Sequence, residues 1–434
     1  MRTDHRTARA IGTDEEGTAA PPRRGGALRR AAAGLRAGAA EFQAAGPLVR
    51  LLVSTQFAFN VGFFAVLPYL AVHLSGTLGL AGWLVGLVLG LRTFSQQGLF
   101  AVGGALTDRY GARPVVLTGC ALRVAGFVGL AFAEGTAAVI GSVLLVGFAA
   151  ALFSPAVETE ASRQAVRIEQ ATGRPRTRVL SLFSAAGQAG TLVGPALGSL
   201  LLLGGFRAAC LAGAAVFVLV WAAHLRLMPK SRPGPRAQGR SGPGGLVRAG
   251  FDRRFAGICV GYSAYLLAYN QLYLALPAEV ERATGSQAAL GWLLALASVC
   301  YLAVQMPLLG WAAGRFTRRG AIRFGLALIA AGLAGAGALL PLGAAGGLLP
   351  SIVFVLLLTA GQAVVVPMTR AWLPDLVDDR RLGLANGAVS SVSGLAVLIG
   401  GAPIGALLSI GGPAPWLCLA AVPLLGCLFV PRDH

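Results

Sequence analysis

The chain has 434 residues, of which 56% are hydrophobic and only 12% are charged. Soluble globular domains carry about a quarter charged residues, so this composition excludes a protein with a fully water-covered surface. The formal charge of +19 does not indicate nucleic-acid binding, because the basic residues lie between apolar segments and not on one soluble face. The composition predicts an all-α polytopic membrane protein, since helices satisfy their own backbone hydrogen bonds in lipid.

Residues 1–47 form a basic, alanine-rich segment that precedes the first apolar stretch. It lacks the apolar core of a signal peptide. We predict a disordered cytoplasmic tail, and a helix lying on anionic lipid is the alternative.

Twelve segments are long and apolar enough to cross a bilayer as helices. They are predicted at 49–73, 80–106, 114–133, 136–157, 179–203, 207–227, 254–279, 288–314, 321–341, 347–369, 382–409 and 413–430. The longest connection between them, 228–253, is rich in Pro, Gly, Ser and Arg, which is typical of a flexible linker. The sequence therefore predicts six spans in 48–227, six in 254–430 and a short end at 431–434.

The basic residues are distributed unequally between the two sides of the predicted spans. Of the 36 Lys and Arg residues, 32 lie in the tail and in the connections on one side, whereas the other side has only Arg207 and Arg282. Short loops rich in Lys and Arg stay on the cytoplasmic side. We predict a bacterial plasma-membrane protein with both termini in the cytoplasm.

The two groups of six spans carry an internal repeat. Five pairs recur at offsets of 206 to 212 residues: Asn60 and Asn270, Pro68 and Pro277, Pro155 and Pro367, Pro195 and Pro403, and Arg109 and Arg315. Because six spans separate the copies, both have the same orientation. The repeat predicts two six-helix bundles related by a pseudo-two-fold axis along the membrane normal.

One polar loop stands out between predicted spans two and three. It reads GGALTDRYGARP (103–114) and resembles the signature loop of the major facilitator superfamily. The span-five run SAAGQAGTLVGPALGSLL (184–201) is similar to the glycine–proline motif of its drug:proton antiporter branch, and segments 60–70 and 90–99 also resemble that branch. The resemblance covers residues 48–430. It implies a secondary active transporter that works by alternating access.

The loop motif is predicted to be a conformational latch. Asp108 can meet the positive end of a neighbouring helix, which the family implies to be span eleven. Arg109 and Arg113 can meet acids at other helix ends, with Glu158, Asp375, Asp378 and Asp379 as candidates, and glycines permit a tight turn. The predicted latch residues are Gly104, Asp108, Arg109, Gly111, Arg113 and Glu158. A simple topology signal is the alternative, although it does not explain Asp108.

Span five carries small residues at helical spacing, which permit close contact with another helix and a bend. They are Gly187, Gly190, Gly194, Pro195 and Gly198. The resemblance implies that they seal an exporter against leakage, and ordinary helix packing is the alternative.

Polar residues inside predicted spans are candidates for a substrate cavity, because their burial in lipid is costly. The predicted set is Gln56, Asn60, Arg92, Gln96, Arg123, Gln188, Asn270, Gln271, Gln305 and Gln362. Interhelical hydrogen bonds are the alternative for each amide, and pairing with backbone carbonyls or a structural acid is the alternative for the two arginines. Two arginines in such a cavity would favour an anionic substrate.

The sequence has no Asp or Glu at mid-depth in any predicted span, so proton coupling is implied by the resemblance alone. We predict a proton-coupled exporter of drugs or small metabolites. An importer of a small, for example anionic, nutrient and a lipid flippase are the alternatives. No nucleophile–base pair, metal cluster or ATP-binding loop is present, so we predict no enzyme activity, metal or cofactor. The expected partners are a small-molecule substrate, protons and membrane lipids, and the expected state is a monomer.

Overall fold

The structure is a computed structural model that describes residues 42–43, 45–174, 176–229, 252–376 and 382–432. Within these ranges it describes only the backbone of 108, 176–177, 343–345, 374 and 382–384. The predicted tail, apart from its last few residues, and most of the predicted linker lie outside the described residues. Residues 46–434 form one unit by their internal contacts, and the account below concerns that unit.

The described residues are helical and include no strand. Span one consists of Pro47–Phe64, a 3-10 turn at Leu67–Tyr69, and short helical segments at Leu70–Val72 and His73–Thr77. The others are span two (Gly82–Gln97 and Phe100–Tyr110), three (Ala112–Ala131), four (Thr136–Thr172), five (Arg176–Leu201), six (Gly205–Leu227), seven (Arg253–Tyr269 and Gln271–Thr284), eight (Ala288–Arg315), nine (Arg318–Leu339), ten (Leu349–Trp372), eleven (Leu382–Leu408) and twelve (Ala414–Phe429). The predicted all-α polytopic class is confirmed.

Length and hydropathy alone single out eight helical stretches among the described residues as able to cross a membrane. One of them, Arg178–Leu227, contains both spans five and six. Spans two and seven are absent from that set because each is broken into two shorter helices, and span twelve because it has only 16 residues. The three broken or short spans and the merging of spans five and six therefore account for the difference between eight and twelve.

Span four is longer than predicted, and the expectation that Pro155 ends it is wrong. Its helix of 37 residues continues through Pro155 to Thr172 and ends at Gly173, whose φ of 69° is left-handed. The segment after Pro155 is polar but contains no further Gly or Pro before Gly173, so its backbone can remain helical. Most of the predicted loop between spans four and five is therefore helix.

Spans two and seven are broken near mid-length, which the prediction of continuous helices missed. The break in span two lies at Gly98 and Leu99, where the Ser391 hydroxyl of span eleven donates to the Gly98 carbonyl at 3.0 Å. The break in span seven lies at Asn270, whose side-chain oxygen accepts from the Thr93 hydroxyl of span two at 3.3 Å. Each break is thus held by a polar side chain from the other half of the chain.

The two membrane ends of the bundle differ in composition. We call the basic end the one where spans one, three, five, seven, nine and eleven begin, and the far end the opposite one. At the far end spans two and eleven pack closely through Gly82, Gly86, Gly401 and Gly405. A Cβ atom at any of these four positions would overlap a backbone carbonyl of the facing span, so only glycine permits this approach. We call these four residues the glycine seam.

Spans one, five and eight also meet towards the far end. The Tyr69 hydroxyl donates to the Pro195 carbonyl at 2.8 Å and lies 2.6 Å from the Ser199 hydroxyl oxygen. A Cβ atom at Gly291 of span eight would collide with this group. The first and last six spans are therefore joined at the far end by two independent contacts.

Candidate functional site

An open recess lies at the basic end. It has a volume of about 660 Å³ and is lined by span four residues from Pro155 to Arg167. Its wall includes the polar or charged residues Glu158, Thr159, Ser162 and Arg163, although most of its exposed surface is apolar. The helical continuation of span four places these residues at the mouth of the bundle.

Glu158 faces a cation from the other half of the chain. It lies within electrostatic range of Arg370, which is in span ten, and both side chains are exposed. Arg370 is also hydrogen-bonded to the Tyr262 side chain of span seven. The prediction placed Glu158 opposite Arg109 or Arg113, and it did not include Arg370.

A row of tyrosines runs along span seven from Arg370 towards the membrane interior. Tyr262 and Tyr265 have ring centroids 5.2 Å apart, and the next two steps, to Tyr269 and then Tyr273, are 5.9 Å each. The Tyr269 and Tyr273 hydroxyl oxygens are 3.2 Å apart. We call these four residues the tyrosine ladder.

The predicted site does not include the tyrosine ladder, although the spacing of these tyrosines in the sequence indicates it. The spacing of three, four and four residues in YSAYLLAYNQLY keeps the side chains on one side of a helix. The prediction considered charged and amide side chains only, and so it passed over phenols.

Arg92 lies at the inner end of the tyrosine ladder. Its guanidinium carbon is 6.0 Å from the Tyr273 ring centroid and 4.7 Å from that of Phe63. Nη2 donates to Gln96 Oε1 at 2.7 Å, as expected for two residues on one helix face, while the buried Nε has no hydrogen-bond partner within the described structure. The side chain is 6% exposed.

Arg123 is separate from the other predicted cavity residues. It is 1% exposed, and its guanidinium carbon lies 4.8 to 5.7 Å from four phenylalanine ring centroids. These rings belong to Phe59, Phe63, Phe127 and Phe217. None of its three side-chain nitrogens has a hydrogen-bond partner among the described residues. A phenylalanine cage therefore holds Arg123 within the first six spans by cation–π contacts, and its place in the substrate cavity stays a prediction.

The predicted amides make mostly local contacts. Asn60 donates to the Gln56 carbonyl and Gln271 to the Leu267 carbonyl, each at 2.9 Å and each one helical turn back. The Gln271 side-chain oxygen is buried without a hydrogen-bond partner among the described residues. Gln188, Gln305 and Gln362 are half-buried. Asn270 alone among these amides bonds across the two halves, through Thr93.

The span-five glycines pack against span one. A Cβ atom at Gly190 would lie 2.5 Å from the Phe57 carbonyl oxygen, and one at Gly194 would lie 2.7 Å from Phe64 Cβ. Gly187 faces the Gln56 side chain and Gly198 faces Tyr69 and the Ala65 carbonyl. Pro195 lies inside the helix, and its carbonyl accepts the Tyr69 hydrogen bond. The motif therefore gives close contact between two spans of the same half.

The loop motif forms a tight turn between spans two and three. Gly111 has a φ of 86°, which favours glycine, and it separates two helices without any further residue. Gly104 has open space on the side where a Cβ would point. The Asp108 side chain lies outside the described part of the structure, as do Asp378 and Asp379.

The loop arginines contact a backbone carbonyl and an aromatic ring, and the carboxylate partners predicted for them stay a prediction. Arg113 Nη2 donates to the Leu225 carbonyl at 2.6 Å, and Arg109 is exposed beside the Tyr110 ring. Asp375 forms an ion pair with Arg318 at the start of span nine. The Leu225 carbonyl is at the end of span six, where a helix leaves its carbonyls unpaired and attracts cations.

The family assignment comes from both halves of the chain. The family model of the Major Facilitator Superfamily matches residues 51–256 and again residues 255–434. The chain belongs to the Major Facilitator Superfamily. It is therefore a transporter of this superfamily and not an enzyme.

Curated relatives of this superfamily cover most of the chain. The chain is 32% identical over 366 residues to an uncharacterized MFS-type transporter of Mycobacterium tuberculosis, covering 83% of this chain and 85% of that protein. It is 31% identical over 376 residues to the multidrug resistance protein MdtH of Klebsiella pneumoniae, covering 84% and 89%. The resemblance of segments 60–70 and 90–99 to the drug-transporting branch extends, in MdtH, to most of the chain.

Solved structures agree on the fold. An auto-inhibited peptide transporter of the POT family has a TM-score of 0.74 at 14% identity, covering 90% of this chain and 98% of that chain. The nucleoside transporter NupG has a TM-score of 0.70 at 15% identity, covering 88% and 98%. At these identities the likeness concerns the two-domain fold alone.

Proposed function

We propose that this protein is a proton-coupled exporter of drugs or small metabolites that works by alternating access. The observation that carries the proposal is the difference between the two membrane ends. The first and last six spans pack together at the far end, whereas the basic end has an open recess of about 660 Å³. The excess of Lys and Arg at the basic end supports a cytoplasmic position for it, and cytoplasmic substrate would then enter from this end.

The names of several relatives support drug export. MdtH proteins from Klebsiella, Yersinia and Cronobacter species, each described as a multidrug resistance protein, are 31 to 33% identical to this chain. We infer that the substrate is a small organic molecule and that the protein resides in a bacterial plasma membrane. A single chain provides both halves of the site, so a monomer suffices for transport.

The loop motif fits a latch that is released in this conformation. Arg109 is exposed, Asp375 is bound to Arg318, and Gly104 has no atom against its open side. We propose that closing the basic end brings Asp108 to the start of span eleven, where unpaired backbone N–H groups attract a carboxylate. The glycine–proline motif of span five would keep span one in register during this movement.

The function is tested by transport in inside-out membrane vesicles from a host without its major efflux pumps. An imposed proton gradient is expected to drive accumulation of an exported compound, and an uncoupler to abolish it. Growth inhibition across a compound panel, with and without the protein, identifies which compound to use. Vesicles containing an equal amount of Asp108→Asn protein serve as the matched control, since this change removes one charge at the basic end of span two.

The direction of transport separates export from import in the same assay. An importer of a small anionic nutrient would accumulate its substrate in right-side-out vesicles and release it from inside-out ones. A lipid flippase would move labelled lipid between the leaflets of liposomes. Absence of any protected compound in the panel would contradict drug export while leaving the family assignment intact.

A further inference from the structure

The tyrosine ladder has an arginine at each end. Arg370 is hydrogen-bonded to Tyr262 near the basic end, and the Arg92 guanidinium faces the Tyr273 ring in the membrane interior. Eleven residues of span seven separate Tyr262 from Tyr273, which corresponds to about 16 Å along a helix. Tyr301 of span eight lies within electrostatic range of Arg370, Tyr262 and Tyr269, and thus adds a phenol beside the ladder.

The two arginines differ in how their charges are balanced. Arg370 has Glu158 within electrostatic range. Arg92 donates to the neutral amide of Gln96, and the groups that act on it electrostatically include the phenols of Tyr269 and Tyr273 and the neighbouring Arg123 cation. A buried guanidinium without a carboxylate is costly unless an anion joins it. Of the two arginines at the ends of the ladder, Arg92 is therefore the one at which a bound anion would receive the larger electrostatic stabilisation.

We propose that Arg370, the tyrosine ladder and Arg92 form a binding track for planar aromatic monocarboxylates. The carboxylate pairs with Arg92 in the innermost position, and the ring packs against the faces of Tyr269 and Tyr273. Arg370 receives the same carboxylate first at the mouth. The direction in which a bound carboxylate would be transported rests on the proposed function. The binding itself needs no proton gradient.

Each part of the track matches one property of that ligand class. Guanidinium groups bind carboxylates with two parallel hydrogen bonds, and phenol hydroxyls donate to the same oxygens. Aromatic rings pack in offset or edge-to-face pairs at the ring distances found along the ladder. An organic cation of the same shape would face two arginines and is disfavoured by like-charge repulsion.

The phenylalanine cage leaves Arg123 out of this track. Its four rings surround the guanidinium, and its 1% exposure leaves no accessible face for a ligand. Arg92, by contrast, is bordered by the tyrosine ladder and by Gln96, so it is the buried arginine of the track as far as the described residues extend.

The experiment measures equilibrium binding to the purified full-length protein in lipid nanodiscs. The probes are 1-naphthoate, the cation 1-naphthylmethylammonium and the non-aromatic decahydro-1-naphthoate. Naphthoate is expected to bind at least about tenfold more tightly than either of the others. Arg92→Gln should weaken naphthoate binding by at least about tenfold, and Tyr269→Phe by about fivefold, which corresponds to one hydrogen bond of about 1 kcal/mol.

Matched controls use residues of the same type outside the track. Arg207 stacks on the Phe132 ring and is exposed, and Tyr110 is 51% exposed beside Arg109. Arg207→Gln and Tyr110→Phe should leave naphthoate affinity within about twofold. Because Tyr269→Phe preserves shape, it remains informative if Arg92→Gln does not fold.

Two results would overturn the proposal: equal or tighter binding of the cation, or unchanged naphthoate affinity in both Arg92→Gln and Tyr269→Phe. Binding of naphthoate without gradient-driven transport would contradict the exporter function and leave the track intact. Gradient-driven export of an organic cation whose binding is not inhibited by aromatic carboxylates would support the exporter function and contradict the track.

Discussion

The two halves of this protein contact each other through different kinds of residues at the far end and at the basic end. At the far end the glycine seam brings backbones of spans two and eleven together without side chains between them. At the basic end Glu158 and Arg370 carry opposite charges from the two halves, and both are exposed beside an open recess. One contact is apolar and closed, and the other is charged and open.

Under the proposed alternating-access function, the far end and the basic end would be the two gates of the transporter. Close packing of glycines gains van der Waals contact over a short distance, and it is lost as soon as the helices separate. Charged groups at the opposite end act over longer distances and are well solvated when apart. The closed form of each gate is thus stabilised by a different interaction, and each can be altered independently.

The largest effect is expected from filling the glycine seam with Gly86→Leu. The new side chain would collide with the Gly401 backbone, so the far end could not close. We expect transport below about a tenth of the wild-type rate, and increased labelling of cysteines introduced at the far end. Gly141→Leu is the control, because the Gly141 position in span four has no atom within 4 Å of an added Cβ. Normal transport by Gly86→Leu would show that the seam does not gate.

The next largest effect is expected at the loop motif. Asp108→Asn removes the charge proposed to meet the start of span eleven, and we expect at least about a tenfold loss of transport with unchanged membrane insertion. Transport is measured in vesicles, and insertion by quantifying protein in washed membranes. Gly314→Asp, which places a carboxylate in the second copy of the motif, should not rescue it. Full activity of Asp108→Asn would reduce the motif to a topology signal.

A smaller effect is expected at the charged gate. Glu158→Gln removes the charge that faces Arg370, and we expect transport to fall about three- to fivefold as the closed basic end is destabilised by about 1 kcal/mol. Initial rates in vesicles provide the measurement. Glu134→Gln, an exposed carboxylate change near the far end of span three, should have no effect. A change of equal size in both variants would indicate a general charge effect.

The smallest effect is expected where Tyr69 bridges spans one and five. Tyr69→Phe removes the hydrogen bonds to the Pro195 carbonyl and to Ser199 without changing shape. We expect a loss of about 1 to 2 kcal/mol in far-end stability, seen as a lower melting temperature in detergent, with transport within about twofold. Tyr110→Phe, at an exposed position, should leave the melting temperature unchanged.

The sequence was sufficient to predict the membrane class and the superfamily, because hydropathy and a short charged loop can both be recognised within a short stretch of sequence. It was insufficient for the helix breaks in spans two and seven. Gly98 and Asn270 have hydrogen-bond partners on spans that are distant in sequence, Ser391 and Thr93, and no local pattern marks them. The continuation of span four was missed because hydropathy detects membrane core and not helicity.

Sequence reasoning did not find contacts in which the partner of a charged side chain is itself uncharged. Arg113 contacts the Leu225 carbonyl, for which the prediction named carboxylates. Arg123 contacts four aromatic rings, for which the prediction named backbone carbonyls or an acid. Both contacts come from the tertiary arrangement of helices. The hydrogen bond between Arg92 and Gln96, by contrast, follows from helical periodicity alone.

The length of span four has a mechanical consequence. A helix of 37 residues extends about 55 Å, whereas the hydrocarbon core is about 30 Å thick, so roughly 25 Å of it projects beyond the lipid. When the first six spans tilt, the displacement of a residue grows with its distance from the centre of rotation, so it is largest at the projecting end of span four. A spin label at Thr172, paired with one at Arg318 on the other half, would convert a small rotation near the binding track into a displacement of several ångströms. The position of the projecting end of span four would therefore report which end of the transporter is closed.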